Sequence, residues 1–441
     1  MNYPVYQKME STRWNETGSI PVGWEARRLK FSVSLRNEKI EAEESDLNYM
    51  GLEHIESWTG KRIEDDAASS EGIATRFVKN DVLFGKLRPY LAKVYLAEHE
   101  GMASTEALVL TCTDALVPEF LKYLLISEKF IDAVSGTTYG AKMPRANWDA
   151  IGALPILLPP RDEQQQIAAF LDWKTGQIDA LIARKKELLE KLKERRIAVI
   201  TAVVTQGLNP KVPMVDSGIP WLGQVPRHWE VKKLKFIGEP FIGLTYDPDD
   251  IVHDQSGTLV LRANNIQNGQ LIGDDPVFVS SIIPEWLRLV VGDILICSRN
   301  GSRRLIGKNG IVTAEFAGAT FGAFNTVFRS EANAFLYWVF NSYLFEFQSG
   351  SYLTSTINQL TIGTLSSIVV PLPPPGEQEE IVAALAAKMA ELDSLVFKVR
   401  TAIDRLTEYR TALIIAATTG KIDVRKVKIP AAKPALRKGR K

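Results

Sequence analysis

The sequence predicts an α/β (α+β) protein of two repeated halves, each a globular domain followed by a long helix. Two observations carry this prediction. A proline-rich entry and a long charged helical pattern occur from Pro159 to Gly207 and again from Pro373 to Gly420, with equivalent residues 214 positions apart. A second repeat, with an offset of 205, relates the tryptophan entries at Trp24 and Trp229. A chain of 441 residues is long enough for two or more separate cores.

Composition and charge exclude several classes of protein. The net charge is +1, so overall electrostatics do not indicate a nucleic-acid partner, although local basic patches can. Two cysteines, Cys112 and Cys297, are too few for a disulfide framework or a four-cysteine metal site. The N-terminus lacks the apolar core of a signal peptide, and no apolar run approaches the roughly 18 to 20 residues that span a bilayer. We therefore expect a cytoplasmic protein without a membrane partner.

The chain divides into seven predicted segments. They are an N-terminal arm (1–19), a first globular domain (20–160), a first long helix (161–207), a linker (208–218), a second globular domain (219–375), a second long helix (376–420) and a basic disordered tail (421–441). The arm is polar and weakly patterned. The tail is basic and low in large apolar residues, which favours disorder, and a supplementary phosphate-binding arm is the alternative.

Each globular domain repeats the same local patterns. A turn at Asn80–Asp81, and again at Gly292–Asp293, precedes a short apolar strand and then a basic polar loop. Short amphipathic helices are predicted around Phe120 and Phe335. Both domains end in an apolar strand that is stopped by prolines. The mixture predicts compact α/β domains.

The two helical patterns share one heptad frame. Apolar residues recur every seven positions from Leu385 to Leu413, and the offset of 214 places the same frame in the first copy with polar interruptions at Thr175, Lys185 and Arg196. A helix with one apolar stripe needs a partner, and the obvious partner is its own repeat. Polar seam positions would set register or dock a subunit. The candidate seam residues are Leu171, Ile178, Ile182, Leu189, Leu192, Arg196, Leu385, Leu392, Val396, Val399, Ile403, Leu406 and Arg410.

Catalytic and cofactor motifs are missing from the sequence. The four histidines are scattered, no G-x-G-x-x-G occurs, and G-S-R-R-L-I-G-K-N departs from a phosphate-binding loop in both spacing and its last residue. We therefore expect no catalysis by this chain alone, no bound cofactor and no metal. Two alternatives to a non-catalytic binding protein stay open. One is a self-contained nuclease or methyltransferase with a divergent site, and the other is a coiled-coil scaffold with no DNA role.

Basic, aromatic and amide-rich loops occupy matched places in the two halves. Arginine and lysine can pair with guanine edges, asparagine and glutamine with adenine edges, and all can hold phosphates. An ordinary surface loop is the alternative for any one of them, but their matched placement favours DNA binding. The candidates are Lys86, Arg88, Tyr90, Tyr139, Lys142, Arg145, Arg299, Asn300, Ser302, Arg303, Arg304, Thr354, Thr356, Asn358 and Gln359.

The order of a variable α/β domain, P-P-x-x-E-Q and a long helix, then all three again, resembles the DNA-specificity (S) subunit of type I restriction–modification systems. The motifs that carry the resemblance include L-P-P-R-D-E-Q-Q-Q-I-A-A-F-L-D, N-D-V-L-F-G-K-L-R-P-Y and S-R-N-G-S-R-R-L-I-G-K-N-G-I. The resemblance covers nearly the whole chain.

This resemblance implies two target recognition domains separated by two long antiparallel coiled-coil helices. Each domain would read one half of a bipartite, asymmetric target in double-stranded DNA, and the helices would set the spacing and dock two methylation subunits. With restriction subunits, the complex would be a type I site-specific deoxyribonuclease and adenine methyltransferase. S-adenosylmethionine, ATP and Mg would belong to the partner subunits. The resemblance fixes neither the target sequence nor any single base contact.

Overall fold

The computed structural model describes residues 3–12, 18–63, 72–254, 256–351 and 358–430. The chain forms two compact units. Unit 1 combines Met1–Lys185 with Arg400–Lys441, and unit 2 is Lys186–Val399. Each unit therefore contains one globular domain and a piece of both long helices. No helix of the described residues is long and apolar enough to cross a membrane.

The described residues of unit 1 form two four-stranded sheets with helices packed against them. The strands are β1 (Met9–Ser11), β2 (Ser19–Pro21), β3 (Glu25–Arg28), β4 (Val33–Arg36), β5 (Lys39–Glu41), β6 (Tyr49–Met50), β7 (Ile73–Phe77), β8 (Val82–Gly85), β9 (Val94–Leu96), β10 (Gly101–Ser104), β11 (Ala107–Cys112) and β12 (Pro155–Leu158). The helices are α1 (Pro118–Ile126), α2 (Glu128–Ser135), α3 (Trp148–Ala153) and α4 (Arg161–Gln206), whose second half lies in unit 2. The sheet orders are β4-β11-β8-β9 and β5-β7-β10-β6, and β12 pairs with β3.

Unit 2 repeats this plan. Its strands are β13 (Met214–Asp216), β14 (Gln224–Pro226), β15 (Glu230–Lys233), β16 (Glu239–Ile242), β17 (Ile251–Val252), β18 (Thr258–Leu261), β19 (Ile266–Gln267), β20 (Gln270–Leu271), β21 (Val277–Val279), β22 (Ile294–Cys297), β23 (Asn309–Ile311), β24 (Thr320–Phe321), β25 (Asn325–Arg329) and β26 (Val369–Leu372). The helices are α5 (Asn333–Phe340), α6 (Tyr343–Ser351), α7 (Ile362–Ser367) and α8 (Pro375–Thr418), whose end lies in unit 1. The order β16-β25-β22-β23 matches β4-β11-β8-β9, and β15 pairs with β26 as β3 pairs with β12.

The repeated turn aspartates are structural. Asp81 and Asp293 are each only 1% exposed. Asp81 accepts hydrogen bonds from Arg36 Nε at 2.8 Å and from the Thr111 hydroxyl at 2.7 Å, and Asp293 accepts from Arg329 Nε at 2.8 Å. A buried carboxylate needs such partners. Each aspartate therefore fixes the turn that starts the central strand leading to a candidate loop.

The predicted short helices around Phe120 and Phe335 are confirmed as α1 and α5. Both phenylalanines are fully buried. Each helix packs into the main core of its own unit, together with the apolar strand that precedes the long helix. The spacing in the sequence was therefore the signature of a core-facing helix.

A glutamate in the first turn of each long helix accepts hydrogen bonds from the start of the preceding globular domain. Glu163 accepts hydrogen bonds from the Tyr6 hydroxyl and from Trp24 Nε1, and Glu377 accepts from Trp229 Nε1 at 2.9 Å. Burial and the bond to Glu163 raise the pKa of the Tyr6 hydroxyl well above its ordinary value. The two repeated motifs, the tryptophan entry and P-P-x-x-E-Q, thus meet in each unit.

The described residues of the predicted N-terminal arm pack onto unit 1. β1 pairs antiparallel with β2, and the Tyr6 ring, 7% exposed, lies edge-on to Trp24 at 5.8 Å. In unit 2 the residues predicted as a linker form β13, which pairs with β14 in the same way. A single anchored tyrosine produces no hydrophobic periodicity, which is why the sequence pattern missed this packing.

The start of the predicted disordered tail also packs onto unit 1. Ile422 and Val424 are buried, and the backbone N–H of Asp423 donates to Pro4 O at 2.7 Å. Gln166 on α4 donates to the carbonyls of Val424 and Val427. Residues 431–441, which hold the remainder of that prediction, lie outside the described residues.

Candidate nucleic-acid interface

In unit 1 the two loops predicted to bind DNA lie side by side. The backbone N–H of Arg88 donates to Pro144 O at 2.7 Å, and that of Ala146 donates to Lys86 O at 3.0 Å. Leu87 and Arg145 form an isolated antiparallel bridge. The structure therefore joins residues 85–90 and 139–145 into one surface at the end of β8.

The candidate side chains of this surface differ in exposure. Tyr90, Tyr139 and Lys142 are exposed, whereas Lys86, Arg88 and Arg145 are half-buried. Arg88 has a left-handed backbone with φ of 50°, which is strained for a residue other than glycine. The Nε atoms of Arg88 and Arg145 are buried without a hydrogen-bond partner among the described residues. Unpaired buried donors are energetically costly, so each of these two calls for an explanation.

Glu106 belongs to this surface and was missed in the sequence. Its carbonyl accepts from the Lys86 N–H at 2.9 Å, and its carboxylate accepts from an Arg145 terminal nitrogen at 2.9 Å. Glu106 is in the turn before β11, 39 residues from Arg145. Only strand pairing brings the two together, so no local motif could have identified it.

In unit 2 the matched loops show the same backbone contacts. The Leu360 N–H donates to Ser298 O at 2.7 Å, as Ala146 does to Lys86, and Arg299 and Gln359 form the equivalent antiparallel bridge. The Ser298 N–H donates to Phe324 O at 3.0 Å, as Lys86 does to Glu106. We call this shared set of contacts the loop frame.

Arg299 stacks on an exposed aromatic ring. Its guanidinium carbon lies 5.4 Å from the centre of the Phe324 ring, and Phe324 is 61% exposed. An exposed aromatic ring does not by itself indicate a binding site. Here the cation–π contact restricts the direction of the Arg299 side chain. Phe324 was also missed in the sequence, for the same reason as Glu106.

A cleft of about 1250 Å³ opens beside the loop frame of unit 2. Four predicted residues, Arg299, Asn300, Asn358 and Gln359, line it. Tyr246, Arg262, Asn264 and Asn325, which were not predicted, also line the cleft. Its walls thus offer arginine donors, amides and aromatic rings, the groups that contact bases and phosphates.

The remaining candidates of unit 2 do not share that cleft. Arg303 and Arg304 line a separate depression of about 520 Å³ with Lys308, and Arg303 donates to Gly350 O at 3.0 Å. Ser302 is exposed, and its N–H donates to Asn300 Oδ1 at 2.9 Å. Thr354 and Thr356 lie outside the described residues.

The candidate seam residues are all buried or half-buried. Within unit 1, α4 and α8 run antiparallel: Gln166 contacts the backbone just beyond α8, and Arg410 Nε pairs with Asp179 at 2.9 Å further along α4. Within unit 2, Arg196 pairs with Asp393. Arg196 and Arg410 are equivalent residues 214 positions apart, and so are Asp179 and Asp393. The two ion pairs are therefore equivalent, with the roles of α4 and α8 exchanged.

A comparison with protein families identifies the repeated part of the chain. The model for the type I restriction modification DNA specificity domain matches residues 37–194 and 226–394. The chain belongs to this family. Both matched ranges run from a globular domain into a long helix, so two specificity domains account for the internal repeat.

Curated relatives of this specificity-domain family are specificity subunits. The chain is 27% identical over 212 residues to the type I restriction enzyme EcoKI specificity subunit of Escherichia coli K12, a match that spans 45% of this chain and 44% of that subunit. The match to the MjaVIII specificity subunit of Methanocaldococcus jannaschii is 24% identical and covers 80% of this chain and 84% of that subunit. The matched part is thus less than half the length of the first relative.

Solved structures show the same fold. A chain from a structure that describes complex assembly and conformational transition of a type I restriction–modification system aligns with a TM-score of 0.71 at 19% identity, covering 90% of this chain and 98% of that chain. The HsdS subunit of Thermoanaerobacter tengcongensis aligns with a TM-score of 0.50, also at 19% identity, covering 91% and 98%. The chain therefore shares its fold with these two solved structures.

Proposed function

We propose that this chain is the sequence-specific DNA-binding subunit of a type I restriction–modification complex and is not catalytic by itself. Each globular domain reads one half of a bipartite, asymmetric target. The observation that carries the proposal is the loop frame, which occurs in both units with the same backbone contacts but different polar side chains. A duplicated frame with unlike side chains suits two half-sites of unlike sequence.

The long helices set the spacing between the half-sites and dock two methylation subunits, and restriction subunits complete the assembly. The seam supports this role, because buried apolar positions and the two matched ion pairs keep α4 and α8 in register within each unit. S-adenosylmethionine, ATP and Mg belong to the partner subunits. Among the described residues, no group of three or more histidine, cysteine, aspartate or glutamate side chains is placed to hold a metal ion.

The decisive experiment is to map methylated sites in DNA from cells that express this chain with its methylation subunit. We expect one two-part motif with a fixed gap, and no methylation when this chain is omitted. Binding of the assembled complex should fall steeply with salt, and the two-part site should outcompete random DNA. Methylation without a two-part motif, or cleavage or methyl transfer by the purified chain alone, would refute the proposal.

A further inference from the structure

The loop frame places equivalent residues of the two units in the same backbone positions. The bridge Leu87–Arg145 corresponds to Arg299–Gln359, and the turn residue that accepts from the neighbouring loop is Glu106 in unit 1 and Phe324 in unit 2. Each bridge contains one arginine, but on opposite sides: Arg145 lies in the second loop of unit 1, whereas Arg299 lies in the first loop of unit 2.

The same turn position holds the arginine in both units. Glu106 pairs with Arg145 at 2.9 Å, and Phe324 lies under Arg299 at 5.4 Å. An ion pair and a cation–π contact are different interactions with one consequence, since each restricts the direction of a long side chain. Pairing with Arg145 also offsets the negative charge of Glu106, which would otherwise disfavour an approaching phosphate.

Both arginines keep donors available for a ligand. A guanidinium has five N–H donors. In Arg145 the pair with Glu106 uses one and the buried Nε holds another, which leaves three donors on the two terminal nitrogens. The Arg299 side chain is exposed, and its guanidinium stacks on the Phe324 ring, a contact that uses none of its N–H donors. The planar fork of arginine matches the O6 and N7 atoms of guanine, whereas a lysine such as Lys142 is a point charge suited to phosphates.

We propose that Arg145 and Arg299 each read one guanine, in different half-sites, and that Glu106 and Phe324 are the positioning residues that aim them. This proposal rests on the proposed function. It assigns the base-reading role to the arginine of each bridge. The bridge partners, Leu87 for Arg145 and Gln359 for Arg299, hold the backbone of that arginine in place. The arginine on each bridge and the turn residue beneath it are thus a single unit of specificity.

The test measures base preference with the assembled complex of this chain and its methylation subunit. DNA with randomised half-sites is selected by binding and sequenced. Arg145→Ala should lose preference at one base pair of one half-site by about 10- to 100-fold, and the other half-site should be unchanged. Arg145→Lys, which keeps the charge without the fork, should lose the same preference but keep non-specific affinity. Arg299→Ala should act on the other half-site alone.

The positioning residues are tested by conservative changes. Glu106→Gln keeps the size of the side chain and removes its charge, and it should weaken preference at the same base pair as Arg145→Ala. Phe324→Leu should affect the same base pair as Arg299→Ala, and Phe324→Tyr, which keeps the ring, should preserve it. A merely structural role would lower binding to all sequences alike. Arg76→Ala is the matched control. Arg76 is also an ion-paired arginine, with Glu38 and Glu100 as partners, but it lies in β7, which is not in the sheet of β8 and β11.

The outcomes separate this inference from the proposed function. If the unaltered complex shows no two-part preference, the proposed function fails. If it shows that preference, and the arginine variants keep every base preference or lose affinity uniformly, this inference is overturned while the proposed function stands. A change at different base pairs by Glu106→Gln and Arg145→Ala would also overturn it. Thermal unfolding of each variant confirms that it is folded.

Discussion

The repeated glutamates at the start of the long helices act through hydrogen bonds inside each unit. Glu163 is 8% exposed and accepts from Tyr6 and Trp24, and Glu377 accepts from Trp229 and contacts His228 Nε2 at 2.7 Å. In each unit, two side chains from the start of the chain segment that forms the globular domain thus contact the glutamate of the long helix that follows the domain. The residue that looks most diagnostic in the sequence is a structural one.

Glu163→Gln should destabilise unit 1. The substitution keeps the shape of the side chain but replaces a charged acceptor that serves two donors, and hydrogen bonds to charged groups contribute about 1.5 to 3 kcal/mol. We expect a loss of about 2 kcal/mol in unfolding free energy, measured by denaturant unfolding of the full chain. Asp162→Asn is the control, since Asp162 is exposed in the same helical turn. Equal effects of the two changes would show that the helix dipole, not the hydrogen bonds, is responsible.

The two seam arginines differ in burial, and this difference predicts unequal effects. Arg410 is 7% exposed, pairs with Asp179 and donates to Trp58 O at 2.8 Å. Arg410→Ala leaves the largely buried Asp179 carboxylate with Lys61 as its one ionic partner among the described residues, and it should cost about 3 kcal/mol. Arg196→Ala breaks the matched but more exposed pair with Asp393 and should cost below about 1 kcal/mol. Thermal unfolding compares the two, and a larger effect at Arg196 would contradict the ranking.

At the level of elements, the long helices are continuous across both units while their contacts repeat. Asp179 and Arg196 are 17 positions apart in α4, as are Asp393 and Arg410 in α8. Both helices therefore have the same number of residues between their two ion pairs. Gly207 and Gly420, with φ of 76° and 70°, end the repeated pattern in the left-handed conformation that glycine favours.

Adding four residues between the ion pairs tests the spacing role. An insertion in α4 alone would lengthen that helix by about 6 Å and mismatch it with α8, so we expect weaker assembly and a lower unfolding temperature. The same insertion in both helices restores equal lengths and should widen the gap of the methylated motif by roughly one to two base pairs at about 3.4 Å each. Methylated-site mapping measures the gap. An unchanged gap with the doubly lengthened chain would rule out the helices as the spacer.

Elements were easier to predict than the site because their signals are local. A heptad frame, a proline entry and a glycine stop lie within one stretch of sequence, and both long helices follow from them. The positions of Glu106 and Phe324 depend on which strands pair. Tyr6 packs against Trp24 and donates to Glu163, which is 157 residues away in the sequence. The sequence did single out Arg145 and Arg299 as candidates, since basic loops at matched places in the two halves are visible without the fold.

At the level of the whole molecule, each unit has its own core and its own loop frame. The main cores of units 1 and 2 consist of different residues, with Phe120 in one and Phe335 in the other. Substitutions that share no contact partner usually have additive effects. Reading of the two half-sites should therefore be energetically independent.

The double variant Arg145→Ala, Arg299→Ala tests this independence. Its loss of binding free energy should equal the sum of the two single losses within about 0.5 kcal/mol, because each arginine belongs to a separate frame and a separate half-site. Competition binding of the assembled complex is measured on DNA altered in neither, either or both half-sites. On DNA altered only in the half-site of Arg145, Arg145→Ala should cost nothing further, while Arg299→Ala should keep its full effect. A double variant that loses no more than the weaker-binding single variant would mean that both arginines act on one base-pair step, and the two units would then read one continuous sequence.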